Sequence, residues 1–488
     1  MKNTIRLLAS LLCFAMLIPF ASCNEGGSGK STEAPTDAPT APEDTPAPET
    51  DAPTEPETDA PTEAPTEPET EPETEAETTR FNENKVDYYH DTAVIDGKEK
   101  DIVIAVPCGD NELGLDITDK TDVVGICYTM WFNAIHGNGD SPLTDVLNVE
   151  ELTAKYGFSA EYGFGTKGDQ HNAATQFHYW SEPAQGYYRS TDKEACRRNL
   201  EMIYKAGVDF LVLDYTFCGP AYLPGTSPWN TYVYGPMMTL LDTMMEMRAE
   251  GQGTPYIAMW FTDEVMYEPA WKYFYGNELY QDCFVYWDDK PFLLMWHLDS
   301  TDVTSKAAQH YTIRSMYGLQ GQVKTNQWSY LEHDTTKTIS FDANGNPEHV
   351  SVAVAAQSTY MSLPTAQGRE GGSFFYSEWV TAFAAHPKIV TVTWWNEWCA
   401  QLYHVNNEII NGWIFTDNFN QEYSRDIEPM KGGHGDQYYK WLCEYVRAYK
   451  AGEECPKLYE EKYEGTAERL RKMNEKSVQK ELKKHGIE

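Results

Sequence analysis

Eight short apolar runs recur along one stretch of the chain with helix-like segments between them: Val123–Met130, Val208–Asp214, Tyr256–Phe261, Phe292–His297, Thr312–Tyr317, Val350–Ala355, Ile389–Trp395 and Ile409–Ile414. Runs of this length bounded by turn residues read as strands buried on both faces, as in a covered parallel sheet. Helical spacing is carried by Asp192–Ala206, Met237–Glu250, Tyr376–Ala384 and Tyr438–Lys450. This alternation predicts an α/β chain, a (β/α)8 TIM-type barrel over 123–454. A doubly wound sheet would alternate too, but no GxGxxG or GxxxxGK loop follows any strand, so nothing points to a nucleotide. Residues 81–122 read as a short β-like extension around Ile102–Val106, and 455–488 as a charged C-terminal helix; both look peripheral.

The start of the chain predicts its compartment. Lys2 and Arg6 precede an apolar stretch, Leu7 to Phe20, that is too short to span a bilayer comfortably, and Ala21 and Ser22 set small residues before Cys23. Residues 1–23 resemble a bacterial lipoprotein signal, which implies cleavage before Cys23 and lipidation of its thiol. Residues 24–80 repeat Ala-Pro-Thr and Pro-Glu-Thr units, with no aromatic residue and about seventeen acidic residues against two basic ones. Such a segment buries no core and stays disordered. Held extended by proline at about 3.1 Å per residue, it would carry a domain up to roughly 150 Å from a membrane. The expected location is therefore outside the cell, lipid-anchored at the outer face of the bacterial cell membrane, with the anchor as the only membrane contact.

The net charge of -37 disfavours partners that are themselves polyanions, nucleic acid and anionic headgroups alike. The ten cysteines include no CxxC pair, and no HExxH occurs. No metal and no organic cofactor is expected.

Function enters at the strand ends. The stretch Lys388-Ile-Val-Thr-Val-Thr-Trp-Trp-Asn-Glu397-Trp-Cys delivers Asn396 and Glu397, among Trp394, Trp395 and Trp398, to a C-terminal tip. In an α/β barrel that rim gathers the catalytic side chains. The first strand ends in Tyr128 and Trp131, the second in Asp214, the third in Trp260, Asp263 and Glu264, and the fourth in Trp296 and His297. Acids among flat aromatic faces suit the handling and cleavage of sugars. Each residue alone also has a plainer reading: an Asp after a strand N-caps the next helix, a tip Trp covers the core, and Glu397 is neutralised by an arginine.

Taken together, Val124-Gly-Ile-Cys-Tyr-Thr-Met-Trp131, His178-Tyr-Trp-Ser-Glu182-Pro with Gly186-Tyr-Tyr188, Ala206-Gly-Val-Asp-Phe-Leu-Val-Leu-Asp214, Trp395-Asn-Glu-Trp398 and Ser424-Arg-Asp-Ile-Glu428-Pro resemble the bacterial glycoside hydrolase family 71/99-like group. The resemblance implies a (β/α)8 barrel acting on glycosidic bonds. Family 99 endo-α-mannosidases pair the Asn-Glu-Trp glutamate with a second glutamate three residues on, where this chain has Ala400.

A glycosidase uses two carboxyl groups. Glu397 is the first. For the second, Asp214 ranks ahead of Glu182, with Asp263 and Glu264 behind; burial at a strand end would raise Asp214 and suit a general acid. Glu428, close after Arg425, reads as its salt-bridged structural partner. Trp131, Trp180 and Trp398 are the expected sugar platforms, and Tyr128, His178, Asp263 and Asn396 the expected contacts to hydroxyls. Two other functions fit the same anchor: a glycan-binding protein on a degenerate barrel, motivated by Ala400, and the solute-binding lipoprotein of an importer, which would fold as two hinged lobes.

Overall fold

The computed structural model of the chain describes residues 86–95, 97–109, 111, 113–132, 146–174, 176–297, 301–318, 323–330, 338–357, 366–406 and 411–487. The expected signal with Cys23 and the linker over 24–80 lie outside them.

A hairpin comes first, β1 (Val86–Ile95) antiparallel to β2 (Lys98–Pro107). The core strands and their helices follow, with β4 outside the core sheet: β3 (Val123–Thr129), β4 (Phe177–Tyr179), α1 (Lys193–Lys205), β5 (Phe210–Tyr215), α2 (Gly235–Ala249), β6 (Tyr256–Phe261), β7 (Lys290–Met295), β8 (Thr312–Gly318), β9 (Gln327–Tyr330), β10 (Pro347–Ala353), α3 (Ser373–Ala385) and β11 (Ile389–Thr393). Beyond them lie β12 (Cys399–Asn406), β13 (Asn411–Phe415), α4 (Gln437–Lys450) and α5 (Glu464–Lys484).

The chain is mixed α/β with a parallel sheet. Its central path runs β9-β8-β7-β6-β5-β3-β11-β10, every neighbouring pair parallel. This is the order of a ring of eight strands opened between β9 and β10, where the described residues form no ladder. Side chains span the opening instead. Trp328 stacks on His349 with centroids 4.1 Å apart, and its indole donates to Glu348 at 2.7 Å. Glu348 also takes two hydrogen bonds from Arg314, at 2.8 and 2.9 Å.

Alternation along each strand divides the core in two. On β5, Phe210 and Val212 face an inner cluster with Cys127, Trp260, Trp328, Tyr330 and Trp394, while Leu211, Leu213 and Tyr215 face the helices. The inner space is tight: a Cβ on Gly125 would meet the Phe210 ring at 2.5 Å, so β3 must be bare there. Asp192 caps α1, accepting from the Glu194 and Ala195 amides at 3.0 and 3.1 Å.

Two expectations change. The described part of the expected strand Ile409–Ile414, residues 411–414, is not in the core sheet: β13 pairs antiparallel with β12, which also pairs with β4, in a small separate sheet. The remaining core strand is β9, whose Gln-Trp-Ser-Tyr alternates rather than forming an apolar run. The charged C-terminal segment is also less peripheral than expected. Its helix α5 covers α3 through Ala467, Leu470 and Val478, and Asn474 donates to the Ser377 carbonyl at 2.8 Å.

Candidate active site

Two strands adjoining β3 bring the first pair of predicted residues together. Asp214 ends β5, level with Thr129 in register, and Glu397 follows β11 on the other side of β3. Cys127, facing inward between them, feels the charge of both. Glu397 is 2 % exposed and Asp214 3 %.

The cation that holds Glu397 is Arg425, itself fully buried. Its Nε donates to Glu397 Oε2 at 3.2 Å and its Nη2 donates to the same oxygen. Nη2 also pairs with Asp417 Oδ1 at 3.1 Å, and the guanidinium stands 4.8 Å from the Trp394 ring centroid. Burial pushes the Glu397 carboxyl well above the usual range; Arg425 opposes this and Asp417 adds to it. Asp417 is pushed up by burial as well, again against Arg425. Burial raises Asp214 to about 6, opposed by its hydrogen bonds from Thr216 and helped by the charge of Asp417. Two buried carboxyl groups and the partly exposed Asp417 thus feel the charge of one guanidinium, an arrangement that favours keeping a proton on at least one of them.

Aromatic groups wall this centre. The Tyr330 hydroxyl accepts from Trp296 Nε1 at 3.3 Å and feels the charges of Asp214, Asp417 and Arg425. Trp260 meets Tyr330 edge-on at 5.1 Å, and Trp394 lies 6.0 Å from it. The indole N–H groups of Trp260 and Trp394 are buried without a hydrogen-bond partner among the described residues. The arrangement can hold protons on carboxyl groups beside polarised indoles, which is the equipment of acid–base chemistry on a neutral, hydroxyl-rich molecule.

Several predicted residues lie elsewhere. Tyr128 points the other way from Cys127, into the helix-facing core, where its hydroxyl accepts from Asn199 at 3.2 Å. Asn396 is fully buried and acts as a clamp: its Oδ1 accepts from the Thr129 amide at 2.8 Å and its Nδ2 donates to the Tyr188 hydroxyl at 3.2 Å. Trp180 and Trp398 offer no open face. Both are fully buried, stacked on each other at 5.0 Å, and donate to Asp426 and Glu428, each at 2.5 Å. His178 is buried on β4 beside Phe164 and Phe415, with Nδ1 2.9 Å from the Gln176 carbonyl, rather than at a rim.

Glu182 pairs with Lys431 at 3.0 Å, away from the carboxyl cluster. Asp263 takes the plainer role, capping a short helical turn through the Val265 amide at 3.0 Å. Of the three expected platforms only Trp131 keeps exposed surface, beside Phe217 at 5.8 Å and with its indole N–H unpartnered among the described residues. The expected Arg425–Glu428 bridge is absent, because Arg425 turns to Glu397 and Asp417. Glu428 is held instead by Trp398, by Tyr188 at 2.8 Å and by Gln185 at 2.5 Å, and burial raises it to about 7.

Asp417 went unnoticed in the sequence. It follows the Trp413-Ile-Phe run in a left-handed conformation (φ 62°), a geometry that Asp and Asn tolerate better than most residues. A Thr-Asp-Asn stretch at the end of a strand is the one signal that pointed to it. At 27 % its side chain is the most exposed of the charged groups around Arg425.

No protein-family model matches the chain, and no curated protein matches it. Among solved structures it is similar to the family GH99 endo-alpha-mannosidase of Bacteroides thetaiotaomicron, at 14 % identity and a TM-score of 0.42, over 68 % of this chain and 99 % of that one. The same type of enzyme in complex with BIS-TRIS-propane gives 14 % and 0.40, over 68 % and 98 %. A glycoside hydrolase-like protein gives 11 % and 0.34, over 70 % and 97 %. These are distant likenesses and not close matches.

Proposed function

We propose that this protein is a glycoside hydrolase that cleaves O-glycosidic bonds of an extracellular poly- or oligosaccharide, held at the outer face of the bacterial cell membrane through Cys23. The strand order supports a (β/α)8 reading, with β9 and β10 closing the ring through Trp328, His349 and Glu348. The observation that carries the function is the placement of Asp214 and Glu397 on strands on either side of β3, with Arg425 bound to Glu397 and its charge felt by Asp214.

In this reading Asp214 is the general acid. Burial keeps part of it protonated near neutrality, so it can give its proton to the leaving oxygen. Glu397 is the partner carboxylate, oriented by Arg425, and it answers the positive charge that develops on the sugar. Trp260 and Trp394 offer indole N–H donors to hydroxyl groups, and Trp131 a ring face.

A second reading, glycan binding without turnover, has one observation in its favour: Glu397 is already committed to Arg425 and almost fully buried. The purified full-length chain should be incubated with plant, fungal, mucin and bacterial glycans, and new reducing ends measured beside Glu397→Gln. Release by the native protein alone supports hydrolysis at Glu397. Oligosaccharide binding with no release from any glycan would select the second reading.

A further inference from the structure

Hydrolysis of a glycosidic bond needs a group that takes a proton from the attacking water, and that group needs an oxygen the water can reach. Asp214 and Glu397 are poorly placed for this. Asp214 and the Glu397 side chain are each 3 % exposed, and Glu397 Oε2 already takes two N–H groups of Arg425. The Asp417 side chain, on the same guanidinium, is 27 % exposed. Its Oδ1 pairs with Arg425 Nη2 at 3.1 Å, and among the described residues no hydrogen bond reaches its Oδ2.

The position is built rather than incidental. Asp417 sits between two clamps in the loop after β13. The Thr416 amide donates to the Gln401 carbonyl at 3.2 Å, and the buried Asn418 donates through Nδ2 to the backbone carbonyl of Glu397. Asp tolerates the left-handed φ of 62° held between them. The loop is thus tied to the backbone of the very residue whose cation Asp417 shares. Asp417 also lies within electrostatic reach of the rest of the centre, since its charge helps raise Asp214, Glu397, Tyr330 and Tyr403.

A structural role explains this acid less well. One carboxylate neutralises Arg425, and Glu397 supplies it; a second acid on the same Nη2 adds charge that the ion pair does not need. An acid that serves structure in this protein is engaged on both sides. Glu428 is buried, with Oε1 held by Gln185 and Oε2 by Tyr188 and Trp398. Asp417 is anchored by one oxygen and open at the other.

We infer that Asp417 is the catalytic base of the hydrolysis proposed above, taking a proton from the water that attacks the anomeric carbon. The assignment rests on that glycosidase reading. As the water oxygen bonds to the anomeric carbon, the bond to the leaving oxygen breaks. Asp214 gives the leaving oxygen its proton, and Asp417 Oδ2 receives the proton that the water loses. Glu397 forms no bond to the sugar and answers its charge. A single displacement of this kind inverts the anomeric configuration. Burial raises Asp417, which suits a base better than a carboxylate that must later leave a covalent sugar ester.

The test uses the full-length chain on whichever of the plant, fungal, mucin and bacterial glycans it cuts. Proton NMR of the first product should show the anomer opposite to that of the bond cut, a readout that needs no substitution. Asp417→Asn keeps the side-chain shape and should lose about 10²–10⁴-fold in kcat/KM. Asp417→Gly also accepts the left-handed backbone and leaves room for an anion. Sodium azide should restore its rate at least tenfold and give a glycosyl azide of inverted configuration, which loss of a merely structural acid would not produce. A retained anomer from the native chain, Asp417→Asn within threefold of native, or no glycosyl azide from Asp417→Gly overturns the assignment and leaves the glycosidase reading standing. No release by the native chain from any of the glycans overturns both.

Discussion

Arg425 directs two of its N–H groups, Nε and Nη2, at a single oxygen of Glu397, and reaches Asp417 Oδ1 at 3.1 Å with the same Nη2. The residue that the Asn-Glu-Trp motif makes conspicuous is therefore held by a cation that enters from the loop after β13. That cation fixes Glu397 in one orientation and divides its charge between two acids.

Arg425→Met should be far more damaging than Glu397→Gln. Removing the guanidinium strands Glu397 and Asp417 without a cation, and breaking a buried pair in this way costs about 3–5 kcal/mol. Glu397→Gln leaves Arg425 with Asp417 and should cost less than half as much. Urea unfolding of the two variants checks the order, and equal losses would contradict the shared-cation account.

Stability should fall as pH rises toward neutral. Burial lifts Glu428 from 4.5 to about 7 and Asp426 from 3.8 to about 7. Between roughly pH 4 and 7 the folded state then keeps protons that the unfolded chain releases, so the unfolded state gains with pH. The contribution is fully present below the unfolded values and lost as pH passes the folded ones. Thermal unfolding should give a higher Tm at pH 5 than at pH 8. Glu428→Gln should shrink the difference in unfolding free energy between those two pH values by on the order of 2–3 kcal/mol; an unchanged difference would remove Glu428 from the account.

Much of this architecture was legible because buried parallel strands are written as apolar runs, as Phe210–Tyr215 and Ile389–Thr393 are. Gln327–Tyr330 was not, since only Trp328 and Tyr330 face the interior and the polar residues between them hide the strand. Ile409–Ile414 shows the opposite failure: apolarity announces a strand but not the sheet it joins. At the site, Asp214 and Glu397 were readable as tips. The partner of Glu397 was not, because the choice of Arg425 between Glu397 and Glu428 depends on the turn of a loop. Tyr128 could have been placed correctly from strand alternation alone, since an inward Cys127 sends its neighbour outward.

Gly125→Ala should destabilise the sheet by about 1–3 kcal/mol through overpacking against Phe210. The clash is with a ring whose place inside the sheet is set from both sides, so the cost should be recovered when the ring is trimmed. Gly125→Ala with Phe210→Leu should therefore be less than additive in a double-mutant cycle. Strict additivity would place the cost in the β3 backbone instead.

Trp180→Phe separates a buried prop from a sugar platform. The substitution keeps most of the stacking on Trp398 but removes the indole donor to Asp426, leaving a buried acceptor short of a partner. The expected loss is about 1–3 kcal/mol in stability. Oligosaccharide affinity, measured well below the unfolding temperature, should stay within twofold. A selective loss of affinity with stability intact would return Trp180 to the sugar-contacting surface.

The role given to Asp214 makes a demand on kinetics that a structural acid would not meet. With its carboxyl raised to about 6, the protonated form dwindles above that pH, so kcat/KM on an oligosaccharide should fall along an alkaline limb centred near 6. Asp214→Asn cannot supply the proton and should lose about 10²–10⁴-fold on such a substrate. A glycoside whose leaving group departs without protonation, such as a dinitrophenyl glycoside of the same sugar, bypasses the missing acid. On it the variant should retain activity within about tenfold and lose the alkaline limb. Glu397→Gln should be rescued by no leaving group, because the charge it answers develops on the sugar itself. If Asp214→Asn is equally poor on both substrates, Asp214 is not the acid, and Asp417, the most exposed charged group around Arg425, becomes the next to test.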